Sequence, residues 1–223
     1  MNIKNRLRQL IFESEGNFGY HAGNLAHKSG TLSRNNFQKT LRSQLGTGYY
    51  FFGELNDALE LAGVKKGDKN RADMLKGTTV YSADFSKYNL FKPRNASEFY
   101  DNLVIPTIKF LNQLTSDDLN DNDTLEGLLD VADYYRELGV NIDDKTFIQI
   151  VKGYLDDMDN GSSNSDELFN SRVLRTAGYE GIDLRNTEKD GIVNGKASVG
   201  SVLFDLKTNT VKKMEWLFIL VVI

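Results

Sequence analysis

Two stretches near the N-terminus, Tyr20-His-Ala-Gly23 and Gly46-Thr-Gly-Tyr-Tyr-Phe-Phe-Gly53, decide how the rest of the chain is interpreted. The first contains one of the two histidines of the sequence, and the second is its densest aromatic run. Aromatic residues enclosed by glycines are typical of a short buried strand that is entered through a tight turn. Apolar residues from Leu55 to Ala62 then recur at spacings of three and four, which predicts a helix.

The glycines around the aromatic run have two explanations. Because they lack a Cβ, Gly23 and Gly48 let backbone N–H and C=O groups approach a flat ligand. A strand, a glycine-rich turn, a second strand and a helix in this order are a common way to build a nucleotide pocket. The alternative is structural, since a single histidine, an aromatic run and a Gly-x-Gly sequence also occur in ordinary cores and turns.

Composition narrows the class of protein and the kinds of site. Of 223 residues, 40% are hydrophobic and 26% are charged, as in a soluble globular protein, and the net charge of −4 does not indicate a nucleic-acid binder. The absence of cysteine excludes disulfides, thiolate zinc sites and cysteine nucleophiles, and it fits a cytoplasmic location. With only two histidines, we predict no metal site. We predict no membrane span either, because no apolar run approaches the required length of about 20 residues.

Hydrophobic periodicity predicts an α+β fold and a single domain over residues 1–223. A helical insertion is expected at about residues 95–158, where apolar stripes recur at helical spacing and should pack against one side of a sheet. Within it, we expect one helix that opens at Asp123 and another that Asp144 caps. Further helices are predicted over residues 3–14 and 34–45. Strand patterns occur on both sides of the insertion, and we expect the distant strands to pair in one sheet.

The order of these motifs resembles the ADP-ribosyltransferase fold of the diphtheria-toxin and poly(ADP-ribose) polymerase type. Members of that family carry a His-x-Gly on a first strand and a Gly-x-Gly-x-Tyr-Phe strand next, and His21, Gly23 and the run from Gly46 match in order. Far downstream, Leu174-Arg-Thr-Ala-Gly-Tyr-Glu-Gly-Ile-Asp183 and Gly200-Ser-Val-Leu-Phe-Asp205 resemble two further segments of bacterial and phage members. The resemblance implies a split β-sheet core with the helical insertion in the middle of the chain.

The resemblance also implies a substrate and roles for individual residues. NAD would lie across His21, Gly23, Gly48, Tyr49 and Tyr50. In the family, the histidine bonds a ribose hydroxyl, the following glycine pairs with the nicotinamide carboxamide through its backbone, and the tyrosine stacks on the nicotinamide ring. Carried over, these roles fall to His21, Gly23 and Tyr50, and ADP-ribose would pass from NAD to an unknown protein or nucleic-acid acceptor in a bacterium or a phage-infected cell.

The third catalytic residue of the family, normally a glutamate, would fall on Gly200 or Ser201. Either an upstream acid, Glu188 or Asp190, reaches the ribose, or the alignment is off by a few positions, or the chain binds NAD without efficient transfer. Two alternatives stay open. One is a catalytically weak member of the same fold that uses the helical insertion as a partner surface. The other is an unrelated α+β protein in which His21 and Tyr50 are core residues.

Overall fold

A computed structural model describes residues 17–24, 48–95, 98–161, 169–185 and 200–214. The predicted helices over residues 3–14 and 34–45 lie outside the described residues. So do Glu188 and Asp190, the candidates for the third catalytic residue.

Strands at both ends of the chain enclose a helical middle, and this confirms the predicted α+β class. The strands are β1 (Phe18–Asn24), β2 (Tyr49–Phe51), β3 (Thr78–Asp84), β4 (Leu90–Phe91), β5 (Gly181–Asp183), β6 (Ser201–Leu203) and β7 (Val211–Met214). The helices are α1 (Leu55–Leu61), α2 (Arg71–Lys76), α3 (Ile105–Leu111), α4 (Asn122–Glu137), α5 (Asp144–Asp159) and α6 (Phe169–Thr176). A π-helix, Glu98–Val104, precedes α3, and short 3-10 helices lie at Phe85–Lys87 and Asp118–Asn120.

The strands divide between two sheets, so the expectation of one sheet is wrong. Sheet A has the order β1-β3-β7, and sheet B has the order β2-β6-β5-β4. All pairs are antiparallel except β4 with β5. The sheets meet where Tyr20 and Phe52 exchange two backbone hydrogen bonds of 2.8 and 2.7 Å. This exchange joins β1 to the end of the aromatic run, so the two motifs are neighbours in space.

The chain forms four layers, which are α1, sheet A, sheet B and the helices from residue 98 to residue 176. An apolar core lies between each layer and the next. The outer core lies between sheet A, through Tyr20, Ala22 and Val80, and the helix α1. The inter-sheet core joins Tyr49, Phe51 and Leu203 of sheet B to residues on and after β3. The third core lies between the other face of sheet B and the helices from residue 98 to residue 176. Sheet B is therefore covered on both faces, which explains why every residue of its strands is buried.

The helices expected over about residues 95–158 are present, and they pack against one face of sheet B as expected. Asp121 and Asp143 cap α4 and α5, because their carboxylates accept backbone N–H groups of Thr124 at 3.1 Å and Thr146 at 2.9 Å. The first cap therefore precedes Asp123, where the first helix was expected to open, and the second cap is Asp143 instead of the expected Asp144. After α4 the chain turns at Gly139, whose φ of 90° is the left-handed conformation that glycine adopts without strain.

Gly48 has a structural reason to be glycine. A Cβ at this position would lie 2.5 Å from Cγ2 of Val202 and 2.6 Å from the carbonyl oxygen of Leu203. The close approach is therefore between β2 and β6, and it requires no ligand. Gly153 in α5 is the opposite case, because a Cβ there meets no heavy atom within 4 Å.

We predict that Gly48→Ala lowers the free energy of unfolding by about 1–3 kcal/mol, since the added methyl overpacks the junction of β2 and β6. Gly153→Ala is the matched control, and it should raise the free energy by about 0.5–1 kcal/mol because alanine favours a helix interior. Urea denaturation followed by circular dichroism measures both. Equal effects of the two substitutions would contradict the packing explanation.

Candidate functional site

His21 points into the space between the two sheets. Its neighbours Tyr20 and Ala22 face the outer core, so strand alternation directs the imidazole the other way, toward sheet B. There its Nδ1 lies 3.1 Å from the carbonyl oxygen of Tyr50, and its ring meets the edge of Phe51 at a centroid distance of 6.4 Å. The side chain is half-buried. The histidine of the first motif thus contacts the aromatic strand of the second.

The hydrogen bond to Tyr50 fixes the tautomer of the imidazole. A carbonyl oxygen only accepts, so Nδ1 must carry the proton of this bond. In the neutral ring the acceptor is then Nε2. His21 is therefore oriented by the backbone of β2, and Nε2 is the nitrogen that accepts in the neutral ring.

The two tyrosines of the aromatic strand have different surroundings. The Tyr50 side chain is 5% exposed and lies in the helical core, where it faces Val202 and the helices. Burial raises the pKa of Tyr100, and the nearby Tyr50 raises it further, so the two phenols are neighbours in that core. Tyr49 lies on the inter-sheet side with Phe51 and Leu203 and is 7% exposed. Only the backbone of Tyr50 reaches His21, whereas its ring packs on the opposite face of sheet B.

Gly23 lies two residues beyond His21 on β1, where it pairs with Thr79 of β3. The structure thus brings His21, Gly23, Tyr49 and the Tyr50 backbone to adjacent strands. It does not bring the Tyr50 ring to the side that His21 faces. The assignment of Tyr50 as a stacking residue stays a prediction, and it requires the ring to leave the helical core.

Sequence reasoning missed the strongest electrostatic feature of the inter-sheet space, a buried ion pair. The side chains of Asp183 and Arg185 are 1% and 9% exposed. Arg185 donates to Asp183 through Nε and Nη2, both at 2.8 Å, and the Ser201 hydroxyl adds a bond of 3.0 Å. A third donor of Arg185, Nη1, reaches the carbonyl oxygen of Phe18 at 2.8 Å. One side chain therefore ties β5 of sheet B to β1 of sheet A.

Two effects oppose each other on the Asp183 carboxyl. Burial alone would raise its pKa, but the hydrogen bonds and charge of Arg185 outweigh burial, with help from the Ser201 hydroxyl. The net result is a pKa below the ordinary value of 3.8. Asp183 is therefore a carboxylate near neutral pH, and its oxygens are occupied by Arg185 and Ser201.

Gly53 and Gly200 make room for the aliphatic part of Arg185. A Cβ at Gly53 would lie 3.2 Å from Cγ of Arg185. A Cβ at Gly200 would lie 3.0 Å from the same atom and 2.9 Å from the backbone nitrogen of Gly53. The guanidinium itself stacks 4.4 Å above the ring of Phe85. The resemblance aligns Gly200 with the family's acid. The neighbouring backbone and Arg185 pack so closely against Gly200 that they leave little room for a side chain there.

The described residues contain neither a candidate metal site nor a candidate membrane span. Within the ranges that the structure covers, no group of three or more histidine or acidic side chains is placed to hold a metal ion. None of the helices in those ranges has the length and apolar character needed to cross a bilayer.

Comparisons with family models, with curated proteins and with solved structures find no match to this chain.

We predict that Asp183→Asn lowers the free energy of unfolding by about 3–5 kcal/mol, because it leaves the buried Arg185 charge without its partner. The control is Asp205→Asn, which breaks the Arg175–Asp205 pair, in which the carboxylate side chain is 66% exposed. That change should cost about 1 kcal/mol or less, because water screens an exposed pair. Urea denaturation at pH 7 compares the variants. A cost for Asp183→Asn no larger than for Asp205→Asn would contradict the structural role of the buried pair.

Acid should remove the contribution of Asp183. Its pKa is lowered in the folded state, so the stabilisation is complete above the ordinary pKa near 3.8 and is lost as the pH falls through the folded value. We therefore expect the stability gap between wild type and Asp183→Asn to narrow between pH 6 and pH ~3. Urea titrations at both pH values measure the gap. An unchanged gap would show that the charge of Asp183 contributes nothing.

Proposed function

We propose that this chain binds NAD in the space between its two sheets and acts as an ADP-ribosyltransferase-like protein. The observation that carries the proposal is the imidazole of His21, held against the aromatic strand by the Tyr50 carbonyl. If the two motifs bind one ligand, they must be neighbours in the folded protein. Their contact supports a shared ligand, and the resemblance identifies that ligand as NAD.

The tautomer of His21 suits a ribose. With Nδ1 donating to Tyr50, Nε2 can accept a hydrogen bond from a ribose hydroxyl and hold the sugar while the nicotinamide bond breaks. The backbone of Gly23 then pairs with the carboxamide, as the resemblance implies. For the ring, the inter-sheet orientation favours Tyr49 as the stacking partner in this conformation, whereas Tyr50 would serve after it leaves the helical core.

A negative charge near the ribose would stabilise the cationic transition state, whose bond to nicotinamide is nearly broken. Gly200 supplies no side chain, and Ser201 bonds to Asp183. Asp183 itself is held by Arg185, which offsets its charge. The proposal therefore keeps Glu188 as the catalytic acid, with Asp190 as its alternative. The acceptor of ADP-ribose would be a protein or nucleic acid in the cytoplasm of a bacterium or a phage-infected cell.

The second candidate is a binding protein of the same type without efficient turnover. Residues 98–161, which form most of the helical layer, carry 15 acidic and 4 basic side chains, a net charge of −11. The rest of the chain carries 16 acidic and 23 basic side chains, or +7. This separation of charge favours a partner with a basic surface, bound by the helical layer through salt-sensitive contacts.

We predict that NAD binds saturably at millimolar concentration or below and that His21→Ala weakens the binding about fivefold, the loss of one hydrogen bond worth about 1 kcal/mol. Calorimetry measures affinity, and release of nicotinamide measures turnover. Glu188→Gln should lower turnover at least tenfold with little effect on affinity, because it removes charge and preserves shape. Glu126→Gln, on the exposed side of α4, is the matched control and should change neither.

The outcomes separate the candidates. Binding with turnover that depends on Glu188 supports the transferase. Binding without release of nicotinamide supports the binding protein. If calorimetry shows no heat of NAD binding and NAD does not raise the melting temperature, the nucleotide proposal is wrong, and His21 and Tyr50 are structural residues of the sheet junction.

A further inference from the structure

A concavity lies on the outer face of sheet A, on the opposite side of that sheet from His21. Its volume is about 440 Å³, within the range of small-molecule sites. Phe18, Ser82, Asp84, Lys87, Lys207 and Lys212 line it, together with the turn at residues 208–210. We call it the outer cleft. Its position separates it from the site proposed for NAD.

The outer cleft exists because α1 covers only one end of the sheet. Tyr20, Ala22 and Val80 are buried against α1 in the outer core. Farther along the same face, Ser82 and Asp84 are half-buried, and none of the helices that the structure describes in the outer core covers them. Lys212 is the register partner of Ser82 on β7, so its side chain leaves the sheet on this face. This end of the sheet therefore combines sheet backbone, an aromatic ring and cationic side chains.

Its charges favour an anion. Of the charged side chains that line the cleft, three are lysines and one is Asp84. The Asp84 carboxylate already accepts from the backbone N–H and the hydroxyl of Ser86, at 3.1 and 2.6 Å. Lys207 is held by Glu180 and by the carbonyl oxygen of Lys87, both at 2.7 Å. Lys87 and Lys212 form no ion pair with any residue that the structure describes.

The wall formed by the turn is fixed by hydrogen bonds before any ligand arrives. Thr210 donates to the carbonyl oxygen of Lys207 at 2.8 Å, and the backbone N–H of Lys207 donates to the hydroxyl of Tyr88 at 3.0 Å. The backbone of Asp84 bonds the carbonyl oxygen of Thr210 at 2.9 Å, which attaches the turn to β3. Asn209 completes the turn with a φ of 64°. A prebuilt wall reduces the ordering that binding must otherwise impose.

We propose that the outer cleft binds a phosphate-bearing ligand through Lys87 and Lys212. Ammonium groups bind phosphate oxygens as point charges, with charge-assisted hydrogen bonds that are stronger than neutral ones. Lys207 is oriented toward the carbonyl of Lys87 and lines one side of the cleft. The proposal is independent of NAD and of the inter-sheet space, since it uses the other face of sheet A.

Pyrophosphate is the probe, titrated into the full chain by calorimetry at fixed ionic strength. We expect saturable binding, weakened about tenfold by Lys212→Gln and similarly by Lys87→Gln, the loss of one charge-assisted hydrogen bond. Lys213→Gln is the matched control. Lys213 is adjacent on β7, carries the same charge and is exposed, but it pairs with Tyr81 and leaves the sheet on the opposite face. Its substitution should change the dissociation constant less than twofold.

Two results would overturn the proposal. One is equal weakening by Lys212→Gln and Lys213→Gln, which would assign the binding to net charge alone. The other is absence of saturable binding by wild type up to ~10 mM pyrophosphate, well above typical site affinities. His21→Ala separates this site from the proposed function, because it should leave pyrophosphate binding unchanged even if it abolishes binding of NAD.

Discussion

The rest of the architecture depends on the buried Asp183–Arg185 pair. Arg185 is the side chain that bonds a carboxylate of sheet B and a backbone carbonyl of sheet A at once. Removing two charges from water is costly, and the cost is recovered only when every donor and acceptor is satisfied. Asp183, Ser201 and the Phe18 carbonyl supply those partners. The pair therefore fixes the separation and the register of the sheets, because a small displacement would leave a charge without a partner.

Close packing around this pair and between β2 and β6 also explains three glycines. Gly53 and Gly200 leave space for the Arg185 stem, and Gly48 lets β2 approach β6. In the sequence, Gly48 is a candidate for contact with a flat ligand. Both explanations need a missing Cβ, so the pattern alone cannot separate them. The structure identifies a neighbouring atom for each of these three positions, and a ligand is not required to account for them.

The long helices were predictable and the sheet division was not, for physical reasons. Apolar residues over 122–137 recur at helical spacing, which is a local property of the sequence, and a neighbouring capping residue defines where the helix begins. The pairing of strands depends instead on contacts distant in sequence, such as Arg185 with Phe18, 167 positions apart. In β2, all residues are apolar, so no polar position marks which side Tyr49 or Tyr50 faces. The order of the motifs predicts the contact of His21 with β2. The burial of the Tyr50 ring depends on which face of sheet B the helices cover, and the sequence of β2 does not specify that face.

The two candidate sites also show why net charge is a poor guide to ligands here. The chain is negative overall, yet its negative charge is concentrated in residues 98–161. Sheet B and sheet A stand between that layer and the outer cleft, and stacked sheets are about 10 Å apart. The acidic side chains lie farther from the cleft than this, beyond the screening length of about 8 Å at physiological ionic strength. An anion at Lys87 and Lys212 therefore experiences mainly the local lysines, and the acidic layer opposes its binding only weakly.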